Sequence, residues 1–189
     1  EFTFGYNGSE RFHKSNRFGF YPSFGVAWTL SNEKFMHGLE NVVSNLRIRG
    51  TYGVIGNDAI GAPQDRFFYL SNVNMNDPNR GAIFGPGNTS DYYLTGVSIS
   101  RYPNAAITWE TGEKKNIALE AGLWGRVNLR AEYFHERRRN ILMTRSSIPS
   151  TMGFAAPIRA NLGEASGRGW DIQLEYNHHF LNGMWLQGM

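Results

Sequence analysis

The stretch ITWETGEKKNIALEAGLWGRVNLRAEYFHERRRNILM, residues 107–143, decides the fold. From Ile117 the odd positions Ile117, Leu119, Ala121 and Leu123 are apolar, while Asn116, Ala118, Glu120 and Gly122 are small or polar. A second arm repeats the pattern, with Val127, Leu129, Ala131 and Tyr133 against Asn128, Arg130 and Glu132. A period of two belongs to a strand with one apolar and one polar face. Odd residues face odd residues only across a loop with an odd number of residues, and Trp124-Gly125-Arg126 supplies it. The register then pairs Leu123 with Val127, Ile117 with Tyr133 and Glu120 with Arg130. The last is expected to be a cross-strand charge pair of about 0.2–1 kcal/mol. The apolar stripe stops at Tyr133, and His135, Arg137 and Arg139 continue the same face as charge. An apolar band of about 8–10 residues per strand suits a tilted membrane-spanning strand.

Composition agrees with β structure. Phe (13), Tyr (9) and Trp (5) make up 14% of the 189 residues, beside 22 Gly, the mixture expected of strands with interfacial aromatic belts. The 19 basic and 16 acidic residues leave too small an excess for a nucleic-acid footprint, so no nucleic acid is expected as partner. No run of 18 apolar residues exists, which excludes a membrane-spanning helix but not a barrel. Zero Cys argues against a disulfide-stapled domain or a Cys zinc site.

Further strands follow by the same reading. Residues 1–6 end one strand, and Asn7–Arg11 is turn chemistry. Phe18, Phe20, Phe24, Val26, Trp28 and Leu30 share a face opposite Gly19, Tyr21, Ser23, Gly25, Ala27 and Thr29, with a bulge or break expected at Pro22. An N-cap residue at Ser31 predicts one helical turn. Leu46, Ile48, Tyr52 and Val54 mark the next strand. Residues 66–74 and 90–100 read as strands, 75–89 and 101–111 as irregular, and 144–168 as a long loop. Trp170, Ile172, Leu174 and Tyr176 alternate with Asp171, Gln173, Glu175 and Asn177, and Leu181-Asn182-Gly183 reads as a three-residue hairpin loop with a G1 bulge. The sum is about nine antiparallel strands joined in sequence, with long loops at 7–17, 56–65, 101–111 and 144–168 on one side. The other side carries 31–45, 75–89 and two short hairpins. Glu1 at the start and an apparent strand at the last residue suggest a piece of a longer chain.

Several stretches together resemble one family, the SusC/RagA-like TonB-dependent transporters of the Gram-negative outer membrane. They are Asn7–Phe12 (NGSERF), Asn16–Met36 (NRFGFYPSFGVAWTLSNEKFM), Leu46–Asn57 (LRIRGTYGVIGN), Ile107–Glu110 (ITWE) with Asn116–Leu119, and Asn161–Gly169 (NLGEASGRG). Their order matches the family's C-terminal barrel half. Asn7, Glu10 and Lys115 depart mildly from the family pattern. The resemblance implies that residues 1–189 are an all-β, antiparallel transmembrane barrel segment, part of a 22-stranded barrel, without plug domain or TonB box. It further implies energy-coupled import of a glycan or peptide, a SusD-like lipoprotein lid, TonB acting through parts outside this chain, and outer-membrane lipid around the barrel. The rival reading is a soluble β-sandwich that binds carbohydrate; bands that end in charge count against it.

Chemistry-bearing residues have ordinary explanations. Glu113, Glu120, Glu132, Glu136, Asp171 and Glu175 could pair for glycoside hydrolysis, but Glu120, Glu132, Asp171 and Glu175 lie on polar strand faces, where a wet lumen expects charge. His178 and His179 are strand neighbours and point to opposite faces; His13, His37 and His135 stand alone. No catalytic, cofactor or metal residue is assigned. Arg137-Arg138-Arg139 reads first as a solvated strand end and second as a contact for anionic lipid headgroups or an acidic ligand. Trp28, Trp124, Tyr133 and Trp170 suit a headgroup girdle, and Tyr21 is the aromatic placed to offer a sugar platform. The loop Ser146–Asn161 is the expected ligand or lid contact.

Overall fold

The structure, a computed structural model, describes residues 1–62, 65–85, 92–179 and 184–189. Its strands are β1 (Phe2–Gly8), β2 (Phe18–Thr29), β3 (Val43–Asn57), β4 (Asn72–Ile83), β5 (Tyr93–Arg101), β6 (Glu110–Leu123), β7 (Val127–Thr144), β8 (Arg159–His179) and β9 (Trp185–Gly188). The β6–β7 hairpin forms in the register its alternation requires, with Leu123 opposite Val127, Ile117 opposite Tyr133 and Glu120 opposite Arg130. Trp124 and Gly125 both have positive φ, and the Arg126 amide donates to the Leu123 carbonyl at 3.0 Å. This is the geometry of a type I′ turn, whose twist matches the strands it joins.

Topology departs from the sequential order expected. Seven strands form one antiparallel sheet in the order β1-β2-β3-β6-β7-β8-β9, and β4–β5 is a separate two-stranded ribbon. β3 pairs directly with β6, from Val43 opposite Leu123 to Asn57 opposite Glu110. Residues 58–109 are therefore one long excursion that leaves and re-enters at the same end of the sheet. Of the segment 75–89, expected to be irregular, residues 75–83 belong to β4 and 86–89 lie outside the described residues; register shifts around Asp77 hide the pairing of β4 from any period-two reading. Residues 66–71, expected to begin a strand, precede β4 instead. Of the 90–100 strand, residues 90–91 lie outside the described residues, as does the 181–183 loop.

With the excursion recognised, the connections sort by side. One end carries 9–17, 58–109 and 145–158; the other carries 30–42, 124–126 and the short β8–β9 link. Residues 30–42 hold two 3-10 segments, Leu30–Asn32 and Lys34–Leu39, without a side-chain cap, in place of one capped helical turn. The 144–168 loop is shorter than expected because β8 begins at Arg159. Its first residues pair across a bulge at Asn140, a left-handed residue that breaks the alternation. Pairing of β1 with β2 runs unbroken through Pro22, so no bulge forms there; pairing with β3 is recorded from Ser23 onward.

Across the sheet the register assembles continuous rows. Val26, Gly50, Ile117, Tyr133 and Trp170 form one, and Trp28, Ile48, Leu119, Ala131 and Ile172 the next. Large apolar side chains stand open on this face, Ile117 at 63% and Trp170 at 72% exposure. The buried cluster lies instead at the long-loop end, where Phe12, Tyr21, Ile60, Phe68, Ile107 and Trp109 pack with Val54 and Leu142 against them. A seven-stranded layer with its apolar face uncovered is the inverse of a sandwich, whose apolar faces meet each other.

Candidate functional site

The polar face carries a charge lattice over β3, β6, β7 and β8. Arg49 reaches Glu132 at 3.3 Å and Glu120 at 4.0 Å, and Arg130 binds Glu132 at 3.0 Å. Glu120 and Arg130 are opposite in register, but their charges are taken by Arg49 and Glu132, so the expected direct pair is replaced by a shared network. Glu175 accepts from the Gln173 amide at 2.8 Å. Ala118 is 1% exposed between Arg49 and Glu132 in register, the small residue over which their side chains meet. Such solvated pairs contribute at most about 1 kcal/mol each; their effect is to line a wet wall with both signs of charge.

The carboxylates weighed for hydrolysis are largely held by arginines. Glu113 binds Arg139 at 3.3 Å, and Glu136 binds Arg138 at 2.8 Å. Arg137 binds Glu164 on β8 at 2.7 Å. Arg138 also reaches Glu110 on β6 at 3.8 Å, so each arginine of the Arg137–Arg139 run ties β7 to a neighbouring strand. Tyr133 and Trp170 pack with ring centroids 4.9 Å apart and planes tilted by 52°, and the Trp28 indole donates to Glu33 at 2.9 Å. Among the described residues no group of three His, Cys, Asp or Glu is placed to hold a metal.

Tyr21 is no sugar platform. It is buried, edge-on to Trp109 at 5.5 Å, with its ring against the backbone at Gly19 and Gly56, where any Cβ would overlap it. Around this ring the loop ends are tied together. Phe12 packs on Trp109 at 5.4 Å, the Trp109 indole donates to the Arg17 carbonyl at 3.3 Å, and Asn16 donates to the Ala105 carbonyl at 3.1 Å. Asn161 makes two 3.0 Å bonds with the Thr108 backbone, one each way, as a paired strand would.

Above this collar lies a cavity of about 250 Å³ between the 58–109 excursion and the 145–158 loop. Its wall includes Phe68, Arg101, Tyr102, Phe154, Pro157 and Arg159, so part of the loop expected to meet ligand does line a recess. Asp65 closes one side, bound by Arg159 at 2.8 Å and Arg101 at 3.6 Å. Partial burial pushes the Asp65 carboxyl upward, but the Arg159 hydrogen bond, the Ala62 amide and the two guanidinium charges outweigh it and hold its pKa below the ordinary 3.8. Sequence reasoning missed this junction; Asp65 and Arg159 are 94 positions apart and no spacing rule joins them.

A family model described as TonB dependent receptor-like, beta-barrel, matches residues 2–188. The chain belongs to that family. The TonB-dependent receptor SusC of Bacteroides thetaiotaomicron is 33% identical over 175 residues, covering 92% of this chain and 16% of that protein. TonB-dependent receptor P26 of Formosa agariphila is 31% identical over 170 residues, covering 89% and 16%. The structure of the RagAB peptide transporter superposes with a TM-score of 0.72 at 25% identity, over 96% of this chain and 18% of that one. This TonB-dependent receptor segment is thus SusC/RagA-like in sequence and fold, and spans about 16% of the length of these curated relatives. Parts of the stretches that carry the resemblance meet in space: Phe12, Asn16, Thr108, Trp109 and Asn161 all belong to the collar.

Proposed function

We propose that this chain is part of the wall of an outer-membrane, TonB-dependent importer of a glycan or peptide. The observation that carries the reading is a single sheet with an uncovered apolar band on one face, charge on the other, and its two longest connections, 58–109 and 145–158, at one end. Outer-membrane barrels place long loops outside and short turns in the periplasm. The apolar band meets lipid and the Arg49–Glu132 lattice lines the lumen. The collar holds two external excursions in place, and the 250 Å³ recess between them is where ligand or a lipoprotein lid makes contact. Similarity to SusC and to the RagAB transporter supports a SusD-like lipoprotein as that lid. Plug, TonB box and energy coupling belong to the rest of the protein.

The test is deletion of the full-length gene in its host, with growth measured on candidate glycans and peptides at limiting concentration. Loss of growth on one polymer, with growth on its monomers retained, is the expected result. Full-length protein recovered in the soluble fraction would overturn the reading.

A further inference from the structure

One row on the lipid-side face is occupied by basic residues. Tyr52, Lys115, His135 and Arg168 lie side by side on β3, β6, β7 and β8. The row is one rung outside Ile117, Tyr133 and Trp170, on the long-loop side of the apolar band. Lys115 and Arg168 are exposed and His135 is half-buried. Adjacent strands are about 4.8 Å apart, so the three basic groups span about 10 Å. Lys115 and Arg168 carry permanent positive charge on either side of the His135 ring, and two such charges about 10 Å apart repel where water is scarce.

The outer rungs of the same face solve that problem internally. Arg137 is bound by Glu164 and Arg139 by Glu113. Lys115, His135 and Arg168 have no such partner among the described residues; Lys115 leans over the Tyr52 ring at 5.7 Å. Both nearby carboxylates, Glu113 and Glu164, are already taken by arginines. A cationic row flanked inward by Tyr133 and Trp170 and outward by ion pairs lacks only an anion, and its depth sets which anion can reach it. We propose that Lys115, His135 and Arg168 bind the phosphate of a lipid headgroup in the outer leaflet, with the lipid's acyl chains lying along Ile117, Trp170 and Ile172. This rests on the sheet being an outer-membrane wall. Phosphate supplies several acceptor oxygens to match donors from three strands.

The experiment uses the full-length protein, stripped of lipid in a neutral detergent and titrated separately with dioleoyl phosphatidate, dioleoyl phosphatidylcholine and inorganic phosphate. Bound lipid is counted by native mass spectrometry. The wild type should prefer phosphatidate over phosphatidylcholine, and equimolar inorganic phosphate should fail to displace it. Lys115→Gln/His135→Gln/Arg168→Gln should weaken binding on the order of tenfold or more, since each basic residue near an anionic surface contributes. Arg168→Lys should retain it, and Arg168→Glu should weaken it. Heat-modifiable gel migration confirms that each variant remains a folded barrel. Equal binding by wild type and triple variant, no preference for phosphatidate, or displacement by phosphate would overturn the proposal. If the full-length protein is absent from the outer-membrane fraction, the functional reading fails as well; if it is present there and lipid binding ignores these residues, only this inference fails.

Discussion

Leu119→Arg separates the two faces of the sheet by energy. Leu119 lies between Ile48 and Ala131 in the central apolar row, and neither neighbour can pair a guanidinium. The nearest charges on that face are Lys115, His135 and Arg168, all basic, and Lys115 is about 13 Å away along the strand at about 3.3 Å per residue. An arginine here has no counter-ion and a long way to reach water, so the cost is expected at about 2–4 kcal/mol, the range for a basic residue at mid-bilayer depth. Gln173 is the control, one rung away on the opposite face. An arginine there meets Arg130 across the strand pair but also Glu175, and should change stability by less than about 1 kcal/mol. Guanidinium unfolding of the full-length protein in lipid bilayers, followed by tryptophan fluorescence, measures both. Equal costs would refute the assignment of faces, and a larger cost at Gln173 would invert it.

Four further outcomes follow from the turn, the collar and the recess. Gly125 has φ +64 with open space around it, so Gly125→Val should cost about 1–3 kcal/mol through backbone strain alone; Gly125→Asn should cost less in the same unfolding assay. Gly56→Ala places a methyl inside the Tyr21 ring and should destabilise by about 1–3 kcal/mol as overpacking, with Gly56→Ala/Tyr21→Ala recovering part of the loss if the clash is the cause. Asn161→Leu leaves the Thr108 N–H and C=O without their partner and should cost about 1–3 kcal/mol, seen as earlier proteolytic nicking in 58–109 and 145–158. Asp65 is depressed below 3.8 in the folded state, so its contribution is complete above its unfolded pKa and is lost as pH falls through the lower folded value. Proteolysis of the 145–158 loop should therefore rise only in that acidic window, and Asp65→Asn should give the same rate above and within it.

The strand faces were legible because one rule, alternation, acts at every position. It placed Glu120 opposite Arg130 and ended the apolar band at Tyr133. The same rule failed at β4, where register shifts around Asp77 and Pro78 break the period, and at the start of β8, where the Asn140 bulge displaces it. Strand order failed for a different reason. Pairing of β3 with β6 skips β4 and β5, and consecutive strands are the ordinary expectation; nothing local in residues 58–109 announces that they leave the sheet. The partners of Asp65 and the burial of Tyr21 depend on that excursion, so they were out of reach with it. No bulge forms at Pro22 because losing one N–H matters only where the ladder needs it, and pairing with β3 begins just beyond, at Ser23.

The stretches that resemble the family run along β2, β3, β6 and β8 as well as through the collar, but the two places constrain their residues differently. A lipid-facing position needs only to be apolar, so Ile, Leu, Val and Phe serve almost equally and leave little signature. A collar position has a specific task. Asn161 must offer a donor and an acceptor at strand spacing to Thr108, Trp109 must fill the space beside Phe12 while its indole reaches the Arg17 carbonyl, and Gly19 and Gly56 must leave room for Tyr21. Few side chains can replace these. Outside the collar the demand relaxes again, because the recess between 58–109 and 145–158 is lined by loops that need only reach each other, as Asp65 and Arg159 do. A rigid rim carrying adaptable excursions is the arrangement a transporter needs if one barrel design is to serve different ligands. On this account exchanging residues 145–158 for those of another such receptor should alter ligand choice with little loss of stability, whereas exchanging Asn161 alone should loosen both excursions and leave the sheet below them intact.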